Sequence, residues 1–198
     1  MLDGAQTDLF SEVDDLGFVR ILLAELHDDL VGKVSRFRQL NDLSATLGQY
    51  GTMLPGGETA VAAWTEARAS YVHGNYMATI MLCQGLAEHI LAAQLSLGLN
   101  EIELPNRIKF QKTLELCLGD KLIGKDDAVE LERLMELRNP LSHFRGINDP
   151  SNLSRRVLNS VGSPQGYISA ERHLFNDASF AIGVIVRLLS LPLFRVDQ

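Results

Sequence analysis

A chain of 198 residues is long enough to bury one substantial core, and 46% hydrophobic against 22% charged residues is the balance of an ordinary soluble globular protein. A net charge of −7 with a pI near 5.2 excludes a global basic field that would draw in nucleic acid, so any nucleic-acid site has to be local. The two cysteines, Cys83 and Cys117, sit in apolar helical sequence without metal-ligand spacing and read as reduced core thiols. The N-terminus carries acids early and lacks the basic, apolar and small-residue succession of a signal peptide, so a cytoplasmic location is expected.

Residues 1–7 read as a loose end. A helix is predicted from about Leu9, with Leu9, Val13, Leu16, Leu23, Leu26 and Leu30 on or near one face, and Gly17 and Gly32 are expected to weaken or break it. Lys33, Arg36 and Arg38 form a short basic cluster that reads as a solvated helix face. Helical pattern continues to about Leu47 and gives way between Gly48 and Gly57, where Gly51, Pro55, Gly56 and Gly57 make the clearest linker in the chain. Residues 1–57 are therefore expected to be a helical extension and linker, with a bundle domain over 58–198.

Glu58 to His73 is predicted helical, and Gly74 and Asn75 interrupt it. Tyr76 to Leu97 is the most apolar helix. The ionisable Glu88 and His89 in its middle, and the lack of charged flanks, predict a buried central helix with no membrane span. Gly98 to Asn106 is a loop, Arg107 to Leu118 a helix with Ile108, Leu114 and Cys117 inward, and Gly119 to Lys125 a turn. From Asp127 to Leu137 the apolar residues Ala128, Leu131, Leu134, Met135 and Leu137 fall on one helical stripe, and Asp127 with Glu130 looks like its capping box. A loop follows at Gly146 to Pro150, then a short helix through Arg155 and Arg156, which read as solvated. A second loop runs from Ser160 to Gln165, and a last helix from Ala170 or Asp177 to Leu191 is stopped by Pro192. No period-two pattern persists, so the expected fold is all-α, an antiparallel helical bundle of four to five helices with an additional N-terminal helical segment.

The polar groups that stand out lie at the end of the Asp127 helix. Arg138 follows Leu131, Leu134 and Met135 at helical spacing, so it projects from the apolar stripe and must be paired or used. Ser142 comes four residues later on the same face, while Asn139 and His143, also four apart, run along its edge. Pro140 removes the backbone bond to Glu136 and is expected to kink or end the helix, which would swing the heads of Arg138 and His143 together.

Arg138-Asn139-x3-His143 resembles the R-x4-6-H signature of the HEPN (higher eukaryotes and prokaryotes nucleotide-binding) superfamily. The preceding helix is also similar, with Gly74-Asn75-Tyr76-Met77-Ala78 at its break and Leu86-Ala87-Glu88-His89 farther along. The resemblance spans roughly residues 58–191. It implies metal-independent endoribonuclease activity, with two copies of the motif lining a shared cleft across a homodimer interface, and no cofactor. Cleavage by the RNA's own 2′-hydroxyl needs a group that exchanges a proton near neutral pH, a role suited to His143. It also needs a fixed charge gripping the phosphate, a role suited to Arg138. Asn139 can orient the histidine or phosphate, Ser142 can donate a further hydrogen bond, Arg145 can add a phosphate contact, and Glu88 can support Arg138.

Two other readings stay open at this level. Arg138 and Glu88 can form an internal ion pair with His143 as a neighbour, or the polar cluster can be a non-catalytic pocket for a nucleotide or a protein partner. An intracellular nuclease would itself need restraint, which fits a toxin or defence effector held by an antitoxin or other regulatory protein.

Overall fold

The computed structural model describes residues 16–47, 51–97, 104–105, 107–162, 164 and 166–196. Among the described residues there are eight α-helices: α1 (Leu16–His27), α2 (Leu30–Ser44), α3 (Gly57–His73), α4 (Tyr76–Leu97), α5 (Phe110–Gly119), α6 (Lys125–Ser142), α7 (Leu153–Ser160) and α8 (Ala170–Leu189). A short 3-10 helix follows at Pro192–Phe194. The fold is an all-α helical bundle, and the only strand-like pairing among these residues is one antiparallel bridge between Thr52 and Arg195. Leu9 and Val13 of the predicted first helix lie outside the described residues.

α4 is the axis of the bundle. Its length and composition alone would let it cross a membrane, but α3, α5, α6 and α8 all pack against it, and Ile80, Cys83, Leu86, Ala87, Ile90 and Leu91 are fully buried. Burying each of the larger side chains contributes about 1.5–3 kcal/mol, so this helix is, with α8, a main source of the bundle's cohesion. α3 ends at Gly74, whose φ of 82° is left-handed and lets the Asn75 N–H turn back onto the Ser70 carbonyl at 2.8 Å. A residue with a Cβ would be strained there.

Side-chain contacts fix the directions. Glu130 pairs with Arg187, and Arg133 lies over the Phe180 ring at 4.4 Å, so α6 runs antiparallel to α8. Tyr76 meets Phe175 edge-on at 5.6 Å, which sets the first turn of α4 level with the early turns of α8. The Tyr71 hydroxyl bridges Gln39 Oε1 at 2.7 Å and Ser179 Oγ at 2.9 Å, tying α2, α3 and α8 into one layer. One end of the bundle therefore gathers the start of α2, the α3–α4 turn, the start of α8 and the end of α6.

Several local expectations are corrected. The N-terminal helical sequence breaks at Asp28 and Asp29, and both Gly17 and Gly32 lie inside helices. Asp29 adopts a left-handed conformation, φ 51°, and its carboxylate folds over Gly32, where a Cβ would stand 2.1 Å from Oδ1. Gly32 is thus the space that the break requires. Arg36 is buried, unlike the solvated residue expected: its Nε donates to the Val72 carbonyl at 2.9 Å, Nη2 to Asp29 at 2.8 Å, and its guanidinium faces the Tyr76 ring. Arg156 is likewise paired, with Asp177. α5 begins at Phe110, which leaves Ile108 outside it, and α7 begins after Asn152, whose Oδ1 accepts the Ser154 N–H at 2.9 Å. The described part of the glycine-rich stretch is pinned to the C-terminal tail, with the Met53 N–H donating to the Phe194 carbonyl at 2.7 Å.

α1 departs from the rest. Leu16, Phe18, Ile21, Leu22 and Leu23 are all exposed, and α1 packs along no other helix among the described residues.

Candidate functional site

The sequence of α6 explains why its end carries polar groups. Gly124 takes the N-cap position, and the Asp127 carboxylate accepts its N–H at 2.9 Å, so Asp127 is the fourth residue of the cap and not its first. Glu130, expected to complete the cap, instead reaches Arg187 on α8. Ala128, Leu131 and Leu134 are buried, and the helix packs against α4 as its apolar stripe demands. Pro140 does not end it. The helix continues to Ser142 because the proline removes a single internal bond, that to the Glu136 carbonyl, while the His143 N–H closes the end on the Asn139 carbonyl.

Arg138, Asn139 and Ser142 are half-buried, whereas His143 and Arg145 are exposed. The Ser142 hydroxyl is 3.3 Å from each of the Arg138 and Asn139 carbonyls, so its proton is engaged inside the helix end. His143 is the C-cap, with extended backbone (φ −129°, ψ 136°), and its N–H closes onto the Asn139 carbonyl at 3.0 Å. Its ring therefore leaves from the chain's exit and not from the face shared with Asn139, which corrects the helical register expected for it. Among the described residues, no hydrogen bond or ion pair engages the Arg138 guanidinium, the Asn139 amide or the His143 imidazole. Arg145 is tethered more loosely. Its Nε is 4.0 Å from Asp149, and its carbonyl accepts from the Asn152 side chain at 2.8 Å. Hydrogen bonds from Ser151, side chain and then backbone, hold the Asp149 carboxyl below its ordinary range against the opposing effect of burial, and the Arg145 charge adds a smaller push the same way.

Glu88 is not brought to this cluster. It is exposed, accepts a hydrogen bond from Gln84 Nε2 at 2.7 Å, and lies about three helical turns, roughly 18 Å, along α4 from the end where α6 finishes. No ion pair joins it to Arg138 among the described residues. The internal Arg138–Glu88 pair is therefore absent.

Two features beside the motif escaped sequence reading. Phe144 directly follows His143 and is 95% exposed, the most exposed large apolar side chain of the described residues. Its position in a short loop before Gly146 was the available signal. A cleft of about 560 Å³ opens at the same end of the bundle, between the first turns of α4 and α8, lined by Asn75, Tyr76, Met77, Glu171 and Leu174 among others. The cysteines take no part: burial pushes the Cys83 thiol up, and raises that of Cys117 to about 12. Among the described residues no group of three or more His, Cys, Asp or Glu side chains is placed to hold a metal ion.

No family model matches this chain, and no curated protein or solved structure does.

Proposed function

We propose that the end of α6 is half of a metal-independent endoribonuclease site, completed by the same residues of a second copy. The observation that carries this reading is the state of Arg138: a half-buried residue near the end of a packed helix, five positions before the exposed His143, with none of the five guanidinium donors engaged by the described residues. A group left so is available for an anion, and a phosphodiester is the anion its planar fork suits best.

The chemistry follows from the residue types. His143 takes the proton of the ribose 2′-hydroxyl, whose oxygen attacks the adjacent phosphorus. The P–O bond to the 5′-oxygen breaks, that oxygen takes up a proton from the second copy's imidazolium, and a 2′,3′-cyclic phosphate remains. Arg138 holds the non-bridging oxygens as their charge grows, Asn139 aligns the phosphate, and Arg145 extends the positive strip. The Ser142 hydroxyl, already engaged, has a positioning role at most. Phe144 offers a face on which an unpaired base stacks. A confined cluster of this kind also suits a chain whose net charge is −7, since affinity comes from a few local contacts. Such an activity inside a cell calls for a restraining partner, and a toxin or defence role fits that need.

The test is incubation of the purified chain with a mixed RNA pool in chelator, alongside His143→Ala. Cleavage to cyclic-phosphate ends by the wild type, lost in the variant at unchanged thermal midpoint, is the expected result. Intact RNA with both proteins removes the nuclease and leaves the pocket as a binding site for a nucleotide or a protein.

A further inference from the structure

We infer that α1 is an arm that docks into the apolar groove on α2 of a second copy of this chain, each copy giving an arm and receiving one. The inference stands apart from the nuclease reading and needs no property of the α6 end.

The arm is presented, not frayed. A link of only Asp28 and Asp29 joins α1 to α2, short enough for an antiparallel helical hairpin within one chain. Such a hairpin is not formed. Asp29 is held left-handed, its carboxylate is gripped by buried Arg36, and Lys33 Nζ donates to the Asp28 carbonyl at 2.6 Å, so the link is held in a conformation in which α1 does not pack along α2. Aspartate is among the few non-glycine residues that adopt this conformation readily, and here the Arg36 ion pair fixes it. A helix of 12 residues is marginal in water by itself, and this one carries apolar side chains on nearly every face that no other helix covers among the described residues.

The receiving surface lies on the next helix. A groove of about 810 Å³ runs along α2, lined by Leu30, Val31, Val34, Leu43 and polar neighbours that include Arg38 and Asp42. Val31 is 86% exposed and nearby Phe37 59%. The exposed apolar side chains of α1, Leu16, Ile21 and Leu23 among them, and those of the groove, Val31 and Val34, give each copy both an apolar arm and an apolar receiving surface. Lengths agree, since about 18 Å of α1 meets about 22 Å of α2. Charge agrees as well. The arm bears Arg20 and Glu25 and the groove Arg38 and Asp42, one cation and one carboxylate each, so two copies approach here without the repulsion that a net charge of −7 imposes elsewhere. Arm and groove on one chain form a reciprocal pair under a two-fold axis, which closes the assembly at two copies.

Sedimentation of the full chain at tens of micromolar should give a dimer. Ile21→Glu on the arm and Val34→Glu in the groove should each raise the dimer dissociation constant by about thirtyfold or more while helical circular dichroism is kept. Ile21→Glu remains decisive if Val34→Glu misfolds, because Ile21 is exposed and α1 packs along no other helix among the described residues. A Leu22→Cys, Val34→Cys double variant should oxidise to a covalent dimer, the buried native thiols being unreactive. A monomeric wild type, a dimer indifferent to Ile21→Glu, or a disulfide closed within one chain overturns the proposal.

Discussion

Arg156 and Asp177 share two parallel hydrogen bonds, Nη1 to Oδ2 at 2.6 Å and Nη2 to Oδ1 at 2.9 Å, across the seam between α7 and α8. Their side chains are 25% and 10% exposed, so neither charge is well served by water once the other is gone. Breaking such a pair costs more than the pair itself contributes, because a poorly solvated charge is left behind. Arg156→Ala is expected to lower the unfolding free energy by about 3 kcal/mol. Replacing both partners by Met and Leu should cost clearly less. Urea titration of the three proteins decides it; equal losses from the single and double variants would show that packing, not charge, joins α7 to α8.

His173 sits against the same pair and gives the chain a pH dependence. Burial first, and then the Arg156 charge, lower its pKa from the ordinary 6.5, while Asp177 and a hydrogen bond with the Arg156 backbone oppose the shift less strongly. Its Nε2 is buried with no hydrogen-bond partner among the described residues. Below 6.5 the unfolded chain binds a proton that the folded chain refuses, so the stability tied to this residue is present above 6.5 and is lost as pH falls through the folded value. The urea midpoint of the wild type should drop between pH 7.5 and 5.5 by more than that of His173→Gln. Equal drops would assign the acid sensitivity to other groups.

Most of the architecture was legible in the sequence because helix periodicity is a local property. α3 and α4 fall within a residue of their expected bounds, since Gly74 and Asn75 leave no other place for the break. What was not legible depended on partners distant in sequence. Arg36 reads as one of three surface cations until the α3–α4 turn is brought to it, and Arg156 reads as solvated until Asp177 arrives from 21 residues away. Glu88 was misplaced for another reason. α4 is apolar around so much of its circumference that its pattern does not say which face stays open. At the α6 end the residues were found but not their geometry, because a cap residue such as His143 leaves the helical register.

Pro140 offers a way to separate fold from activity. Alanine there restores an N–H for the Glu136 carbonyl and relieves the ring's crowding of it, a gain partly offset by the freer unfolded chain. Pro140→Ala should therefore raise stability by about 1–2 kcal/mol, visible as a rise of a few degrees in the thermal midpoint. It should also alter the backbone path of the last turn of α6 and shift where His143 leaves it, so RNA cleavage should fall. A variant both more stable and fully active would show that the proline does not set the spacing of Arg138 and His143.

Arg138 decides between a charge that merely attracts RNA and a fork that stabilises the reacting phosphate. With no hydrogen bond or ion pair engaging its guanidinium among the described residues, it gives the folded state little, so Arg138→Lys and Arg138→Ala should both leave stability within about 0.5 kcal/mol of the wild type. Toward RNA they should differ. Lysine keeps the charge but loses the planar, paired donors, so Arg138→Lys should bind RNA nearly as well at low salt and cleave it about 10²-fold more slowly. Arg138→Ala should lose binding as well as rate, and the slope of log affinity against log salt should become shallower by about one contact per site. Lysine that cleaves like arginine would reduce the role to simple attraction. Alanine that cleaves like arginine would move the active site away from the end of α6 altogether, because no other residue there combines partial burial with an unengaged cation.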